Sequence, residues 1–345
     1  MSFEVKSFAV EWARYERRLR TPFRFGERVL GTREGVLLRV VSGDRVGYGE
    51  ASPLAGVSRE SLVDIETWIS RGSQAIWRAW RESSSDFPAS LRFAIESALL
   101  EIEADALGDD GIRPVRANAI VTPGAEGWES QIDGLWTKGF RCFKIKISPE
   151  LAADAVSVLE RIKDRADAPY KVRLDANQSF RANNILASIP ALLSHPIEYW
   201  EDPLPYSDSW SWKYFRKESP FPIAIDGPLI DMASIESALE SNMADIFILK
   251  PTVLGGFSAL DRIFPILETK RRCAVVTSTL ETEIGLRSIA NYLARRPETR
   301  IPQGVASGSV FSEFFYEESP EWIPDFRRTS AEREFLQRLE WRKIP

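Results

Sequence analysis

Histidine is nearly missing from this chain: His195 is the only one among 345 residues, and it falls in Ser194-His195-Pro196, ahead of a strand-like segment. One isolated imidazole in a loop supplies neither a Ser-His-Asp relay nor a three-histidine zinc site. Cysteine is almost as scarce. Cys142 and Cys273 lie in separate apolar runs without CxxC or His-paired spacing, which argues against a thiol metal centre or redox pair and leaves two buried thiols as the expectation. No GxSxG, GxGxxG or Walker-type loop is present. Neither sign of charge dominates: 45 Lys and Arg stand against 50 Asp and Glu, a net charge of −5, with no dense basic run. Nucleic acid is therefore not an expected partner. No stretch approaches the roughly 18 uninterrupted apolar residues a membrane span needs. Met1 to Val10 alternates Phe3, Val5, Phe8 and Val10 with polar residues, a strand pattern rather than the layout of a leader peptide. The expectation is a cytoplasmic protein that engages neither membrane nor nucleic acid; the sequence leaves its oligomeric state open.

What is present has two rhythms. Hydrophobic residues make up 44% and charged residues 28%, which is ordinary for a folded protein with a sizeable core. A length of 345 residues suits one α/β barrel of about 250 residues and a smaller domain. Residues 1–115 begin with paired alternating segments, Phe3 to Arg17 and Gly35 to Val46, and continue into helical stretches rich in Trp, Ala and Leu. In Ala89 to Leu107 the residues Leu91, Ala94, Ile95, Ala98, Leu99, Ile102 and Leu107 recur at helical spacing. Thr21 to Gly26 and Ser52 to Gly56, punctuated by Pro and Gly, read as loops. This is an α+β module that precedes, and would cap, the rest.

Over 116–314 strand and helix alternate. Strands are expected at Asn118 to Val121, Phe140 to Ile147, Lys171 to Asp175, Ile197 to Glu201, Ile223 to Asp226, Ile246 to Lys250, Cys273 to Ser278 and, more weakly, Ile301 to Gln303. Helices such as Ala152 to Arg165, Ile230 to Glu240 and Ala259 to Lys270 separate them. Eight such units give a (β/α)₈ TIM-type barrel in the α/β class. Residues 315–345 include an amphipathic stretch, Ala331 to Trp341, expected to pack back on the first module.

Charged residues close these strands at near-even intervals. From Lys146 to Asp175, Glu201, Asp226 and Lys250 the steps are 29, 26, 25 and 24 residues, about one strand plus its return helix. In a barrel the carboxyl ends of successive strands share one mouth, so these residues should meet around a single pocket. Lys144 and Lys146 point the same way from one strand, as do Arg173 and Asp175. Two adjacent ammonium groups disfavour each other's charge and would lower a lysine pKa toward that of a general base. A solvated pair on an exposed edge is the plainer reading, but Phe140, Phe143, Ile145 and Ile147 mark this strand as buried. Asp175, Glu201 and Asp226 end consecutive strands, and three uncompensated carboxylates there call for a hard cation. Oxygen-only ligands favour Mg²⁺, with Mn²⁺ as the alternative, over three unrelated salt bridges. Asp202 would point to the opposite face as a supporting acid. Lys250 should face Lys146 across the mouth. Ser278 and the small residues Gly304 to Ser309 end the last two strands, where hydroxyls and backbone N–H groups can hold an anion, although turn chemistry explains them nearly as well.

Together, Lys144-Ile145-Lys146, Arg173-Leu174-Asp175-Ala176-Asn177, Trp200-Glu201-Asp202-Pro203, Ile225-Asp226 and Leu249-Lys250-Pro251 resemble the enolase superfamily, specifically its muconate-lactonizing subgroup. Gly47-Tyr48-Gly49-Glu50 and Ser52-Pro53-Leu54 look like its capping domain, and Thr277 to Gly285 is most similar to the o-succinylbenzoate synthases. The resemblance implies the enolase-type modified barrel and a small carboxylate substrate. Lys146 would be the base that removes the proton α to the carboxylate and then helps hydroxide leave. Mg²⁺ on Asp175, Glu201 and Asp226 would hold an enediolate, Lys250 would stabilise it from the other face, and Lys144 would steady carboxylate and base. Arg173, Asn177 and Ser278 would support or contact substrate. One departure is Gly227-Pro228 after Asp226, where relatives often carry Glu-Ser. Rival readings remain: an N-acylamino acid racemase, dipeptide epimerase or cycloisomerase on the same scaffold, a Schiff-base aldolase, or a non-catalytic barrel. Dipeptide epimerases usually carry Asp-x-Asp where this chain has Ser307-Gly308-Ser309.

Overall fold

The computed structural model describes residues 9–25, 28–107, 112–296, 301–317, 319–323, 325 and 327–345. The segment Met1 to Phe8 of the expected first strand and Gly26 of the expected loop lie outside them.

Three antiparallel strands, β1 (Ala9–Phe25), β2 (Arg28–Ser42) and β3 (Arg45–Ala51), begin the chain. Alternation builds β1: Val10, Ala13, Tyr15, Arg17 and Leu19 are buried while Arg14, Glu16, Arg18 and Arg20 are exposed. Thr21 to Phe25, expected as a loop, instead continues β1. The register with β2 shifts between Arg18 and Phe23 and then resumes at Phe23↔Leu30. A bulge absorbs Pro22, which has no N–H to give to a ladder.

Helices α1 (Leu62–Ser70), α2 (Ser73–Arg81) and α3 (Ala89–Leu107) follow. β3 lies directly on α3. A Cβ on Gly47 or Gly49 would collide with the carbonyl oxygen of Ala98 or Ala94, so only glycine permits this approach. The sheet and helices enclose one core, with Val36, Leu38, Ile65, Trp68, Trp77, Leu91, Ile95 and Leu99 among its residues.

The second sheet is parallel, with strand order β11-β10-β9-β8-β7-β6-β5. After the short strand β4 (Val115–Arg116), its strands are β5 (Ala119–Val121), β6 (Cys142–Lys146), β7 (Lys171–Asp175), β8 (Ile197–Glu201), β9 (Ile223–Ile225), β10 (Ile246–Leu249) and β11 (Cys273–Val276). Helices α4 (Trp128–Thr137), α5 (Ala152–Arg165), α6 (Ala182–Leu192), α7 (Ser209–Glu218), α8 (Met232–Glu240), α9 (Pro251–Leu254), α10 (Phe257–Thr269) and α11 (Glu283–Leu293) connect and cover them. This curled seven-stranded sheet is an α/β barrel. The eighth expected strand, Ile301 to Gln303, is reduced to single bridges, Ala117↔Gln303 and Thr277↔Gly304. Pro302 interrupts it by lacking a donor, while Gln303 N–H reaches Arg116 O and Gly304 N–H reaches Val276 O, so the two edges are still spanned. Outward-facing side chains such as Phe143, Leu174, Trp200, Phe247 and Leu249 pack against the helices, and Tyr199, Ala224, Ile246, Ile248 and Val275 form a separate cluster within the barrel.

The remaining strands are β12 (Glu321–Trp322), paired with β4, and β13 (Arg342–Lys343), separated by α12 (Ser330–Arg338). β13 adds to the first sheet beside β1, through Glu11↔Lys343 and Trp12↔Arg342. Leu336 of α12 packs with Tyr15, Leu37 and Ile284. Cys142 is buried as expected, but Cys273 is exposed because it is the first residue of β11, at the end of the barrel opposite the mouth. Among the described residues no helix is long and apolar enough to cross a membrane.

Candidate active site

The parallel register sets the charged residues level with one another. Lys146 pairs with Asp175, Asp175 with Glu201, and Glu201 with Ala224, two residues before Asp226. Because side chains alternate, Lys144, Lys146, Asp175 and Glu201 all project inward while Ile145, Leu174 and Trp200 face the helices. Lys146 Nζ lies 2.7 Å from Asp175 Oδ2, and Lys144 Nζ lies 2.9 Å from the same oxygen and 2.7 Å from Glu201 Oε1. Lys250, at the end of β10, is 2.5 Å from Asp226 Oδ2. The structure thus brings together all six residues expected at the rim.

Electrostatics follow from this packing. Burial would push the Asp175 carboxyl up, but Lys144 and Lys146 outweigh it and hold the group far below the usual carboxylate range. Glu201 goes the other way, to about 8, because burial and the neighbouring Asp175 and Asp226 outweigh Lys144. Lys144 and Lys250 also resist burial: Asp175 and Glu201 raise the first, Asp226 the second. The expected mutual depression of paired lysines therefore does not hold for Lys144, whose nearest charges are carboxylates.

Two buried oxygens, Glu201 Oε2 and Asp226 Oδ1, lack a hydrogen-bond partner. Buried oxygens of this kind are costly unless something positive takes them. Asp175, Glu201 and Asp226 form an oxygen-only donor set whose chemistry fits a hard divalent cation. Among the described residues no three His, Cys, Asp or Glu side chains are grouped closely enough to hold an ion; Lys144, Lys146 and Lys250 take oxygens of Asp175, Glu201 and Asp226 instead.

Asp202 takes positive φ, +43°, and is buried. Its carboxylate accepts the backbone N–H of Asp226 at 2.8 Å and of Gly227 at 3.1 Å, and the Tyr206 hydroxyl. It buttresses the segment that presents Asp226. The glycine at 227 has a local reason: a Cβ there would meet the Tyr206 ring.

The expected substrate contacts divide. Arg173 is fully buried below the mouth, bonded to Glu198 Oε2 at 2.7 Å and Asn118 Oδ1 at 2.9 Å and stacked over Tyr199. Its two hydrogen-bonded partners fix it inside the barrel, where it has no exposed surface. Asn177 is exposed, with φ +48°, in the turn after β7. Ser278 Oγ lies 2.6 Å from Ser307 Oγ, joining the ends of the last two barrel segments. His195 sits in the turn before β8, with Nε2 3.3 Å from Glu160 Oε1. Tyr199 went unnoticed in the sequence, although its i, i+2 relation to Glu201 puts it on the lumen side. A crevice of about 440 Å³ between the first module and the barrel, lined by Arg59, Arg71, Arg92 and Asp231 among others, contains none of these residues.

The family described as Enolase C-terminal domain-like matches residues 128–322, and that described as MenC, N-terminal domain matches residues 9–102. The chain is 24% identical to the L-Ala-D/L-Glu epimerase of Bacillus subtilis (strain 168), over 85% of this chain and 86% of that protein. It is 27% identical to the o-succinylbenzoate synthase of Klebsiella pneumoniae (strain 342), over 80% and 84%. The solved structure of a dipeptide epimerase from Enterococcus faecalis V583, complexed with Mg and the dipeptide L-Leu-L-Tyr, superposes with a TM-score of 0.75 at 21% identity, covering 89% of this chain and 92% of that one.

Proposed function

Because the chain belongs to the enolase superfamily, we propose that it is an o-succinylbenzoate synthase, converting 2-succinyl-6-hydroxy-2,4-cyclohexadiene-1-carboxylate to 2-succinylbenzoate and water. The observation that carries the proposal is a row of three carboxylates flanked by lysines from both sides, Lys144 and Lys146 on β6 and Lys250 after β10. The match of residues 9–102 to a MenC N-terminal domain favours this dehydration over other reactions of the scaffold.

In this reading Lys146 takes the proton α to the carboxylate and the electron pair moves into the carboxylate as an enediolate. Collapse of the enediolate breaks the C–O bond of the ring hydroxyl, and Lys146, now an ammonium, returns its proton to the departing oxygen, so that water leaves and the ring becomes aromatic. Lys250 faces the ring from the opposite side, where its charge favours the electron-rich intermediate. Lys144 holds Asp175 and Glu201 in place. Asp175, Glu201 and Asp226 would hold Mg²⁺, which supplies Lewis-acid charge to the substrate carboxylate when bound; Mn²⁺ is the alternative ion. Ser278 and Asn177 would border the substrate and Arg173 supports from below. The same proposal divides the chain into a cap (1–115), a catalytic barrel (116–314) and a segment (315–345) that completes the cap through β13, and it places the protein in the cytoplasm.

A second reading, racemisation of an N-acylamino acid or dipeptide, is favoured by the lysines on both sides and the epimerase relative. Against the dipeptide form, Ser307 and Ser309 offer no carboxylate to a substrate ammonium.

Incubation with the cyclohexadiene carboxylate and Mg²⁺ should yield the aromatic product. EDTA should abolish turnover and added Mg²⁺ restore it, and Lys146→Ala should lower kcat by roughly 10³-fold or more with circular dichroism unchanged. Absence of product together with rapid α-deuterium exchange into an N-acylamino acid would replace dehydration by racemisation. Borohydride trapping of a lysine with indifference to EDTA would replace both by aldolase chemistry.

A further inference from the structure

Arg33 of β2 is buried, with 3% exposure, and among the described residues no carboxylate pairs with its guanidinium. It grips carbonyl oxygens instead: Pro53 at 2.9 Å, Leu280 at 3.1 Å, Thr279 at 3.3 Å, and Ser52. Two chain segments meet on one side chain, the first module's Ser52-Pro53 loop and the loop that follows β11 and runs through Ser278. A buried guanidinium carries a large desolvation cost, and its planar fork of five donors suits several carbonyls at once, which a lysine cannot match.

Glu50, at the end of β3, holds the next residues of the same loop. Fully buried, it accepts the backbone N–H of Thr282 at 3.0 Å, Thr282 Oγ1 at 2.6 Å, the N–H of Gly285 at 3.1 Å and the Tyr15 hydroxyl. It caps the first turn of α11 from a different domain layer, where a carboxylate is favoured by the orphan N–H groups. The approach is built in, since a Cβ on Gly285 would stand 3.0 Å from Glu50 Oε2. Between the two grips Leu280 has φ +62°, a conformation that a side-chain-bearing residue keeps only when its surroundings fix it.

We propose that Arg33 and Glu50 are positioning residues: from the first module they fix the Thr279–Gly285 segment, and through it Ser278 at the barrel rim, so that substrate affinity depends on two side chains that never touch substrate. The proposal rests on the substrate site being at this rim. It is silent on which carboxylate is transformed.

Arg33→Lys and Glu50→Gln, both with Mg²⁺ present, should raise KM for the cyclohexadiene carboxylate and Kd for 2-succinylbenzoate by about tenfold, the scale of a lost charge-assisted hydrogen bond. The kcat should stay within about threefold of wild type, since neither residue meets the reacting atoms. Hydrogen exchange should speed up across Thr279–Gly285 while β7 and β8 stay as protected as before. Thr282→Val, which removes the Oγ1 donor from the loop side, gives the same readouts if Glu50→Gln does not fold. Unchanged KM and Kd with only a lower melting temperature would reduce the pair to structural ties and overturn the inference, as would unaltered exchange in the loop. Exchange needs no turnover, so faster loop exchange in a protein that fails to dehydrate the diene would leave the loop tether standing and defeat only the choice of reaction.

Discussion

Asp202 shows how a residue outside the row of charges can govern it. Its two oxygens take the N–H groups of Asp226 and Gly227 and the Tyr206 hydroxyl, so they fix the backbone from which Asp226 reaches its lysine. Removing the carboxylate would leave the Asp226 N–H and the Tyr206 hydroxyl without their acceptor, each costing about 1–3 kcal/mol where water cannot enter, while the exposed Gly227 N–H keeps the Tyr206 oxygen. Groups that orient a metal ligand typically carry a 10–100-fold share of affinity. Asp202→Ala should therefore weaken Mg²⁺ binding by about that factor in titration calorimetry and lower the melting temperature even in EDTA. Asp202→Asn, which keeps one acceptor and tolerates positive φ, should fall between it and wild type. Equal Mg²⁺ affinity in all three proteins would detach Asp202 from the site. The sequence offered Asp202 as a supporting acid, but its partners were hidden, because a turn of backbone at +43° brings them together and no side-chain period encodes it.

At the scale of elements, α11 begins with a run of groups that reach the first module. Glu283, its first residue, is 2.9 Å from Arg17 of β1 and completely buried. Burial pushes its carboxyl up to about 7 despite Arg17. A carboxyl raised in the folded state from 4.5 to about 7 contributes stability that is complete below pH 4.5 and is lost as pH rises through 7. The shift corresponds to about 3 kcal/mol. Glu283→Gln keeps an acceptor for Arg17 but cannot ionise, so its melting temperature should fall less than that of wild type between pH 5 and pH 8. Wild-type Glu283 is already largely protonated at pH 5, so Gln changes the charge beside Arg17 only toward pH 8, and the slope is the quantity to compare. Parallel curves would show that Glu283 does not titrate in this window.

The same elements show what a sequence displays and what it hides. Helix α5 was legible because it buries one face, and α3 and strands β6 to β8, buried on nearly all sides, were legible because their apolar residues form compact runs of helix or strand length; the charges that end the strands fell at the mouth because parallel strands share a direction. The eighth strand was not, since Pro302 leaves isolated bridges in its place. Nor was the continuation of β1 through Pro22, where a bulge overrides the turn signal. Arg33, in Thr32-Arg33-Glu34, reads as an ordinary exposed charge. Its burial depends on two loops 19 and 247 residues away, a pairing no local pattern announces.

For the whole molecule, the question is whether cap and barrel are one cooperative unit. At 345 residues separate transitions would be ordinary. The junction, however, is rich in buried links: Arg17–Glu283, Arg287–Glu332 and Arg328–Glu101 join β1, α3, α11 and the α12 segment, and β13 zips the chain's end to β1. Buried ion pairs are poor evidence of net stability, but losing one partner strands a charge, typically at about 3–5 kcal/mol. Unfolding either part alone would break these pairs together and leave the folded part's charges without their partners at the junction, a loss that is large against the 5–15 kcal/mol that holds a typical native state. Calorimetry should therefore show one transition with matching calorimetric and van't Hoff enthalpies. Deleting residues 328–345, which removes Arg328, Glu332 and β13 together, should split it into two, the earlier one carrying the first sheet. Two transitions in the intact chain would mean that the junction is a contact between independent domains, and one transition after the deletion would shift the coupling onto Arg33, Glu50 and α3.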